Sequence, residues 1–185
     1  MAPTPSPSAP LVLTIGHSTR SLEALIAMLR AHGVRRLVDV RTIPRSRHNP
    51  QYNADHLAEA LPAAGISYEH RKGLGGLRHP RKDSPNGGWR NAGFRGYADY
   101  MQTAEFAAEL AALEALAEEG RLAIMCAEAV PWRCHRSLIA DALTVDGIPV
   151  AHIMSEARLD PHHLTPFAHV EGKRITYPPD QGELL

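Results

Sequence analysis

Short apolar runs and stretches of helical period alternate along the chain. Leu11-Val-Leu-Thr-Ile15, closed by Gly16, reads as a buried strand. Ser21 is a good helix N-cap, Leu22, Leu25, Ile26 and Leu29 fall on one helical face, and Gly33 ends that helix. Arg36–Arg41 reads as a second strand. Asn53 is placed to cap a helix carrying Leu57, Ala60, Leu61 and Ala64, with Pro62 ending or kinking it. Ile66–His70 is a third, weaker strand. Ala98–Glu119 has the period of one long amphipathic helix, with Met101, Phe106, Leu110, Leu113 and Leu116 inward. A strand to Met125, a polar turn, a helix from about Cys134 to Leu143 and a fifth strand over Pro149–Met154 follow. A short helical stretch near His162–Ala168 closes the pattern.

The strands are continuous apolar runs separated by helices. That pattern predicts an α/β fold: a single three-layer domain of about five mostly parallel strands with helices on both faces. Strand order does not follow from the pattern. Residues 1–10, rich in Pro, Ser and Ala, are expected to form a disordered tail, residues 11–170 the domain, and residues 171–185 an irregular C-terminal tail. Residues 71–97 have no clean period and are rich in Gly, Pro and Asn. A loop of that length in a compact domain is expected to be functional or mobile.

Charge changes the picture only when it is divided. Lys+Arg and Asp+Glu both total 20. Residues 1–97 carry 14 basic and 6 acidic side chains, and residues 98–185 carry 6 and 14. The basic half favours an anionic substrate or nucleic acid, unless the halves simply neutralise each other across the fold. Two cysteines make no disulfide framework, and no apolar stretch is long enough for a signal peptide or a membrane span. The expectation is a cytosolic protein with reduced thiols and no membrane partner. Oligomeric state is not legible.

The chemistry collects at 122–143, where both cysteines sit. In an open parallel sheet, ligands bind beyond the carboxyl ends of the strands. His17 and Arg20, Arg41 with Arg45 and Arg47, His70 and Arg71, and Cys126 with Glu128 all follow predicted strands. Arginine forks suit phosphate, sulfate or carboxylate, although Arg41 has a structural alternative in a pair with Asp39. Cys126 has three readings. It is a thiolate nucleophile beside a helix N-terminus, or a zinc or iron ligand with Cys134 and His135, or a small buried hydrophobe. No cofactor is predicted outside that metal alternative. The two thiols could also form a reversible disulfide across the turn. His17 is the better base for Cys126 if their strands are neighbours, because His135, adjacent to Cys134, is expected to point elsewhere. Trp132 is a lid over the site or ordinary packing. Gly73-Leu-Gly75-Gly76 matches no phosphate-binding motif and is assigned a loop-flexing role.

Five motifs in one order resemble the domain-of-unknown-function family 488. They are Gly16-His17-Ser18-x-Arg20, Val38-Asp39-Val40-Arg41-x-x-Pro44-x-Ser46-Arg47, Leu74-Gly75-Gly76, Gly96-Tyr97-Ala98-Asp99-Tyr100-Met101, and Cys126-Ala-Glu128 with Cys134-His135-Arg136-Ser-Leu-Ile-Ala. The resemblance implies an α/β domain of bacterial type and brings no activity with it. A weaker likeness in layout, a strand ending in Cys126 and a loop into Arg136-Ser137 and a helix, is similar to rhodanese-like sulfurtransferases and cysteine phosphatases. Here the turn lacks glycine, contains Pro131 and is longer than a Cys-x5-Arg loop.

The resulting expectation is a thiol-dependent transferase or hydrolase acting on a small anionic or nucleotide-like substrate. Cys126, Cys134, His135, His17 and Glu128 are the candidate catalytic residues. Arg41, Arg45, Arg47, Arg136, Tyr97 and Trp132 are the candidate substrate contacts. One alternative is a nucleic-acid-binding module using the basic 71–97 loop, with Trp89, Phe94 and Tyr97 stacking on bases. The other is the metal protein built on Cys126, Cys134 and His135.

Overall fold

The computed structural model describes residues 12–180. The disordered-tail expectation for residues 1–10 therefore lies outside the described residues, as does the end of the chain from 181. The elements in order are β1 (Val12–Gly16), α1 (Leu22–Ala31), β2 (Arg36–Asp39), α2 (Ala54–Ala63), β3 (Ser67–His70), α3 (Ala92–Tyr100), α4 (Ala104–Glu119), β4 (Leu122–Cys126), α5 (Arg136–Val145), β5 (Val150–Ile153), β6 (Leu159–Pro161), β7 (His169–Glu171) and β8 (Arg174–Thr176). The main sheet runs β3-β2-β4-β1-β5-β6, and β7 and β8 form a separate antiparallel ribbon. All pairings from β3 to β5 are parallel, and only β6 at the edge is antiparallel.

The strands' alternating geometry divides the core in two. Val12, Val38, Leu122, Ile124 and Val150 face α3, α4 and α5. Leu13, Ile15, Leu37, Ala123, Met125 and Ile153 face α1 and α2. Every residue of β1 and β4 is buried, as continuous apolar runs between two helical layers should be. The expected three-layer α/β architecture is what the chain adopts, with six strands in its main sheet.

Four expectations are corrected. The long helix over 98–119 is two helices. Thr103 ends the first by donating its hydroxyl to Tyr100 O, and it caps the second by accepting from Phe106 N–H. The residues near 162–168 form no helix: Asp141 and the loop around Thr165 hold them instead. The tail from 171 is not wholly irregular, because Arg174–Thr176 pairs with His169–Glu171. The 71–97 segment is neither structureless nor loose. The Asp99 carboxylate accepts from Arg81 N–H, the Ser84 hydroxyl and the Asn86 amide. Tyr97 and Tyr100 hydroxyls donate to Leu74 O and Gly73 O, and Arg78 lies 3.6 Å over the Tyr100 ring.

Two cross-half ion pairs, Arg71–Glu109 and Arg36–Glu119, use part of the basic surplus of the first half within the fold. No described helix is long and apolar enough to cross a membrane.

Candidate active site at the carboxyl edge of the sheet

β1 and β4 are neighbours in register, with Gly16 opposite Cys126. Their carboxyl ends, with that of β2, open into a cavity of about 680 Å³. His17, Arg41, Arg45, Cys126, Cys134 and His135 all line it. The strand exits are stitched together by backbone bonds from His17 N–H to Cys126 O and from Ser18 N–H to Ala127 O, both 2.9 Å. Ser18 sits at φ +50°, in the left-handed region rarely used by residues with a side chain. Such strain persists where surrounding bonds over-determine it, often beside a functional site.

Arg136, the first residue of α5, turns back under the sheet edge and is 1% exposed. One Nη1 lies 2.8 Å from Cys126 Sγ and also donates to Glu128 O. Nη2 donates to Ala129 O and Nε to Thr14 Oγ1. None of these partners is a carboxylate. A buried guanidinium without an anion costs several kcal/mol of desolvation, so the sulfur is the natural site for the compensating charge. Burial pushes the Cys126 thiol up, but a hydrogen bond from the Cys134 thiol and the Arg136 cation overcome it and bring Cys126 down to about 7. Burial and the neighbouring Cys126 push Cys134 well above the ordinary thiol value of 9.0. Of the two thiols, Cys126 is therefore the one that ionises first.

The α5 N-terminus acts on the other sulfur. Arg136 N–H points at Cys134 Sγ at 3.5 Å, not at Cys126. Among the described residues it is a side chain, not a cradle of amides, that contacts the Cys126 sulfur. This is where the chain parts from the Cys-x5-Arg layout.

His135 touches Cys134 after all: its Nδ1 lies 3.6 Å from the sulfur. The two are not successive helical residues, because Cys134 is extended and His135 is only the N-cap. The His135 ring bonds Val40 O through Nε2 and packs 5.0 Å from the Tyr97 ring. Burial holds its pKa down to about 4, so it is neutral near pH 7. His17 is also held neutral, by burial first, with its pKa below 6.5. Its Nδ1–H donates to Ser18 O, its ring stacks 4.2 Å from that of Tyr52, and its Nε2 faces Arg41 Nη1 at 3.5 Å. Its ring nitrogens are directed at Ser18 and Arg41, not at Cys126.

The predicted arginines divide. Arg41 is a bidentate partner of Asp39, with a further bond to Tyr52 O. It fixes the cavity wall, as its structural alternative held. Arg45 is exposed and lines the cavity. Arg47 is exposed and is not part of the lining. Glu128 is exposed, lies on the cavity lining and contributes its carbonyl to Arg136. Tyr97 is wholly buried and cannot contact substrate. Trp132 is 66% exposed and belongs to a different cavity, so it is no lid. Sequence reasoning missed Arg133, an exposed cation on the lining, and the apolar rim of Ile43 and Leu77. Arg133 lay in the central turn, but an arginine in a turn has no period to show which way it faces.

Gly75 and Gly76 serve close packing, not flexing. A Cβ on Gly76 would meet the His135 ring at 2.6 Å, and one on Gly75 would meet Thr42 Oγ1 at 2.4 Å. Among the described residues no three His, Cys, Asp or Glu side chains are grouped so as to hold a metal ion. Cys126, Cys134 and His135 are no exception, with a guanidinium on the first and a carbonyl on the last. The stacking platform of the nucleic-acid reading is also absent. Tyr97 is interior, and Trp89 packs against Phe94, Phe167 and Tyr177.

No curated protein and no solved structure matches the chain, and the rhodanese-like likeness gains no support. One family model does match, over residues 21–143, which is most of the segment that builds this cavity. The chain belongs to the family described as domain of unknown function DUF488.

Proposed function

We propose that the protein is a cytosolic thiol-dependent enzyme, a transferase or hydrolase, that uses the Cys126 thiolate on a small anionic substrate. The observation that carries this reading is the 2.8 Å contact between Cys126 Sγ and a buried guanidinium that has no carboxylate partner among the described residues. Such a pair keeps sulfur nucleophilic near neutral pH, where a free thiol is mostly protonated. The thiolate forms a bond to the electrophilic centre of the substrate as the leaving group departs with its electron pair. Arg45 and Arg133, both solvent-facing on the cavity wall, supply charge for an anionic group. Ile43 and Leu77, 62% and 71% exposed, offer apolar contact beside them.

The test compares two alkylating agents of similar size. Iodoacetate, an anion, is expected to modify Cys126 faster relative to iodoacetamide than it does a free thiol. Arg45→Gln with Arg133→Gln is expected to remove that preference and leave the iodoacetamide rate in place. A wild-type ratio equal to that of a free thiol rejects the anionic substrate.

A second reading is favoured by the Cys134 thiol beside the thiolate. Cys126 would attack a hydroperoxide oxygen, forming a sulfenic acid and releasing the alkoxide. Cys134 would then displace water to give the disulfide, a two-electron oxidation of the pair.

A further inference from the structure

Behind Arg136, on the side away from the cavity, four side chains continue its hydrogen bonding into the core. Arg136 Nε donates to Thr14 Oγ1 at 3.2 Å. Thr14 Oγ1 lies 2.6 Å from His152 Nδ1, on the neighbouring β5. His152 Nε2 lies 2.9 Å from His162 Nδ1, and His162 Nε2 lies 2.8 Å from Asp141 Oδ1. Thr14 and Asp141 are wholly buried, and the two histidine side chains are nearly so.

The ends of this chain fix its direction. A guanidinium can only donate, and an ionised carboxylate can only accept. The Asp141 carboxylate also accepts from Thr165 N–H, the Thr165 hydroxyl and the Tyr177 hydroxyl. Thr14 Oγ1 takes the Arg136 proton on a lone pair and sends its own hydrogen to His152 Nδ1. His152 is then the Nε2–H tautomer and donates to His162 Nδ1. His162 is likewise the Nε2–H tautomer and donates to Asp141. With both rings neutral, every group in the chain is satisfied in this arrangement. Burial above all, with the charge of Arg136, holds the His152 pKa at about 4, so its ring is neutral as the arrangement requires.

We infer that His152 and His162 are positioning residues for the Cys126 thiolate, linking Arg136 through Thr14 to the Asp141 carboxylate. Four aligned hydrogen bonds connect the buried cation to a buried anion that it does not touch. Aligned hydrogen bonds polarise one another in a low-dielectric interior. The same logic makes an outer hydrogen-bond partner orient a metal-bound histidine. Here it holds the guanidinium with Nη1 on the sulfur. The chain explains why a cation with no adjacent carboxylate is tolerated in the core, and why the residues near 162–165 are tied to α5.

This inference rests on Cys126 being a thiolate, and the test separates the two. The pH midpoint of Cys126 alkylation by iodoacetamide is measured in the wild type and in His152→Phe, which leaves Thr14 and the cavity lining in place. The expected result is a wild-type midpoint near 7 and a rise of about one pH unit in the variant. A wild-type midpoint near 7 with no change in a folded His152→Phe overturns the positioning role and leaves the thiolate standing. A wild-type midpoint in the free-thiol range, about 8.5, overturns both. If His152→Phe does not fold, ¹⁵N spectra of the histidine-labelled wild type decide. Protonated Nε2 and bare Nδ1 on both His152 and His162 are expected, and the opposite tautomer on either one overturns the relay.

Discussion

Arg136 Nη1 and Cys126 Sγ lie 2.8 Å apart at the bottom of the cavity, and among the described residues no carboxylate forms an ion pair with that guanidinium. The cation and the sulfur compensate each other. Removing the cation should therefore be felt twice. Arg136→Gln is expected to raise the Cys126 alkylation midpoint into or above the free-thiol range and to lower stability by about 3 kcal/mol, as breaking a buried charge pair does. Thiol titration and denaturant unfolding of the same variant check both. A variant with an unchanged midpoint would mean that the contact does not hold a charge.

Cys134 acts on Cys126 as a hydrogen-bond donor. Cys134→Ala is expected to raise the Cys126 midpoint by about one unit. Its stability cost should stay near 1 kcal/mol, the cost of one small buried group. Alkylation rates against pH check the first and a melting curve the second. Under hydroperoxide the wild type should lose two hydrogens to a disulfide, while this variant should accumulate a sulfenic acid. Intact-mass measurement separates the two products.

Gly16 is the tightest point of the site. A Cβ there would overlap the Glu128 carbonyl, which is one of the oxygens holding Arg136. Gly16→Ala is expected to cost about 3 kcal/mol through forced movement of backbone. Trp132→Ala, at a 66% exposed position away from the cavity, should change stability by less than about 0.5 kcal/mol and leave Cys126 reactivity unaltered. Denaturant titration of the two variants side by side provides the comparison.

The pH dependence of stability has a definite sign. His135 and His152 both have folded pKa values near 4 against 6.5 for an ordinary histidine. Unfolded chains bind these protons first, so stability is full above about 6.5 and falls toward pH 4. Cys126 acts in the same sense between its folded value of about 7 and the ordinary thiol value of 9.0, with stability rising with pH across that window. Cys134, with its raised pKa, acts oppositely above 9.0. Unfolding free energy measured from pH 4 to 9 is expected to climb, and Cys126→Ser should flatten the segment between 7 and 9.

Much of this fold was legible because the central strands are buried on both faces and so read as unbroken apolar runs. Strand edges were harder. β6 is three residues, none buried and with no apolar run, and the β7–β8 ribbon buries only Ile175, so neither leaves a periodic trace. The break between α3 and α4 was hidden because the apolar positions on either side stay in helical phase, and only the Thr103 cap marks it. At the site, residue types were legible and directions were not. Sequence placed Cys126, Cys134, His135 and Arg136 in one turn. It could not show that Arg136 folds back beneath the sheet onto Cys126, that Tyr97 packs inward, or that Trp132 faces away. Those depend on strand order, which places β1 between β4 and β5 and so brings Thr14 and His152 to Arg136.

The most direct measurement is the alkylation of each cysteine by iodoacetamide as a function of pH, resolved by peptide mass spectrometry on the folded protein. The account predicts that Cys126 reacts with a midpoint near 7 while Cys134 stays unmodified until far above 9.0. Two midpoints in the ordinary thiol range, or Cys134 reacting first, would contradict it.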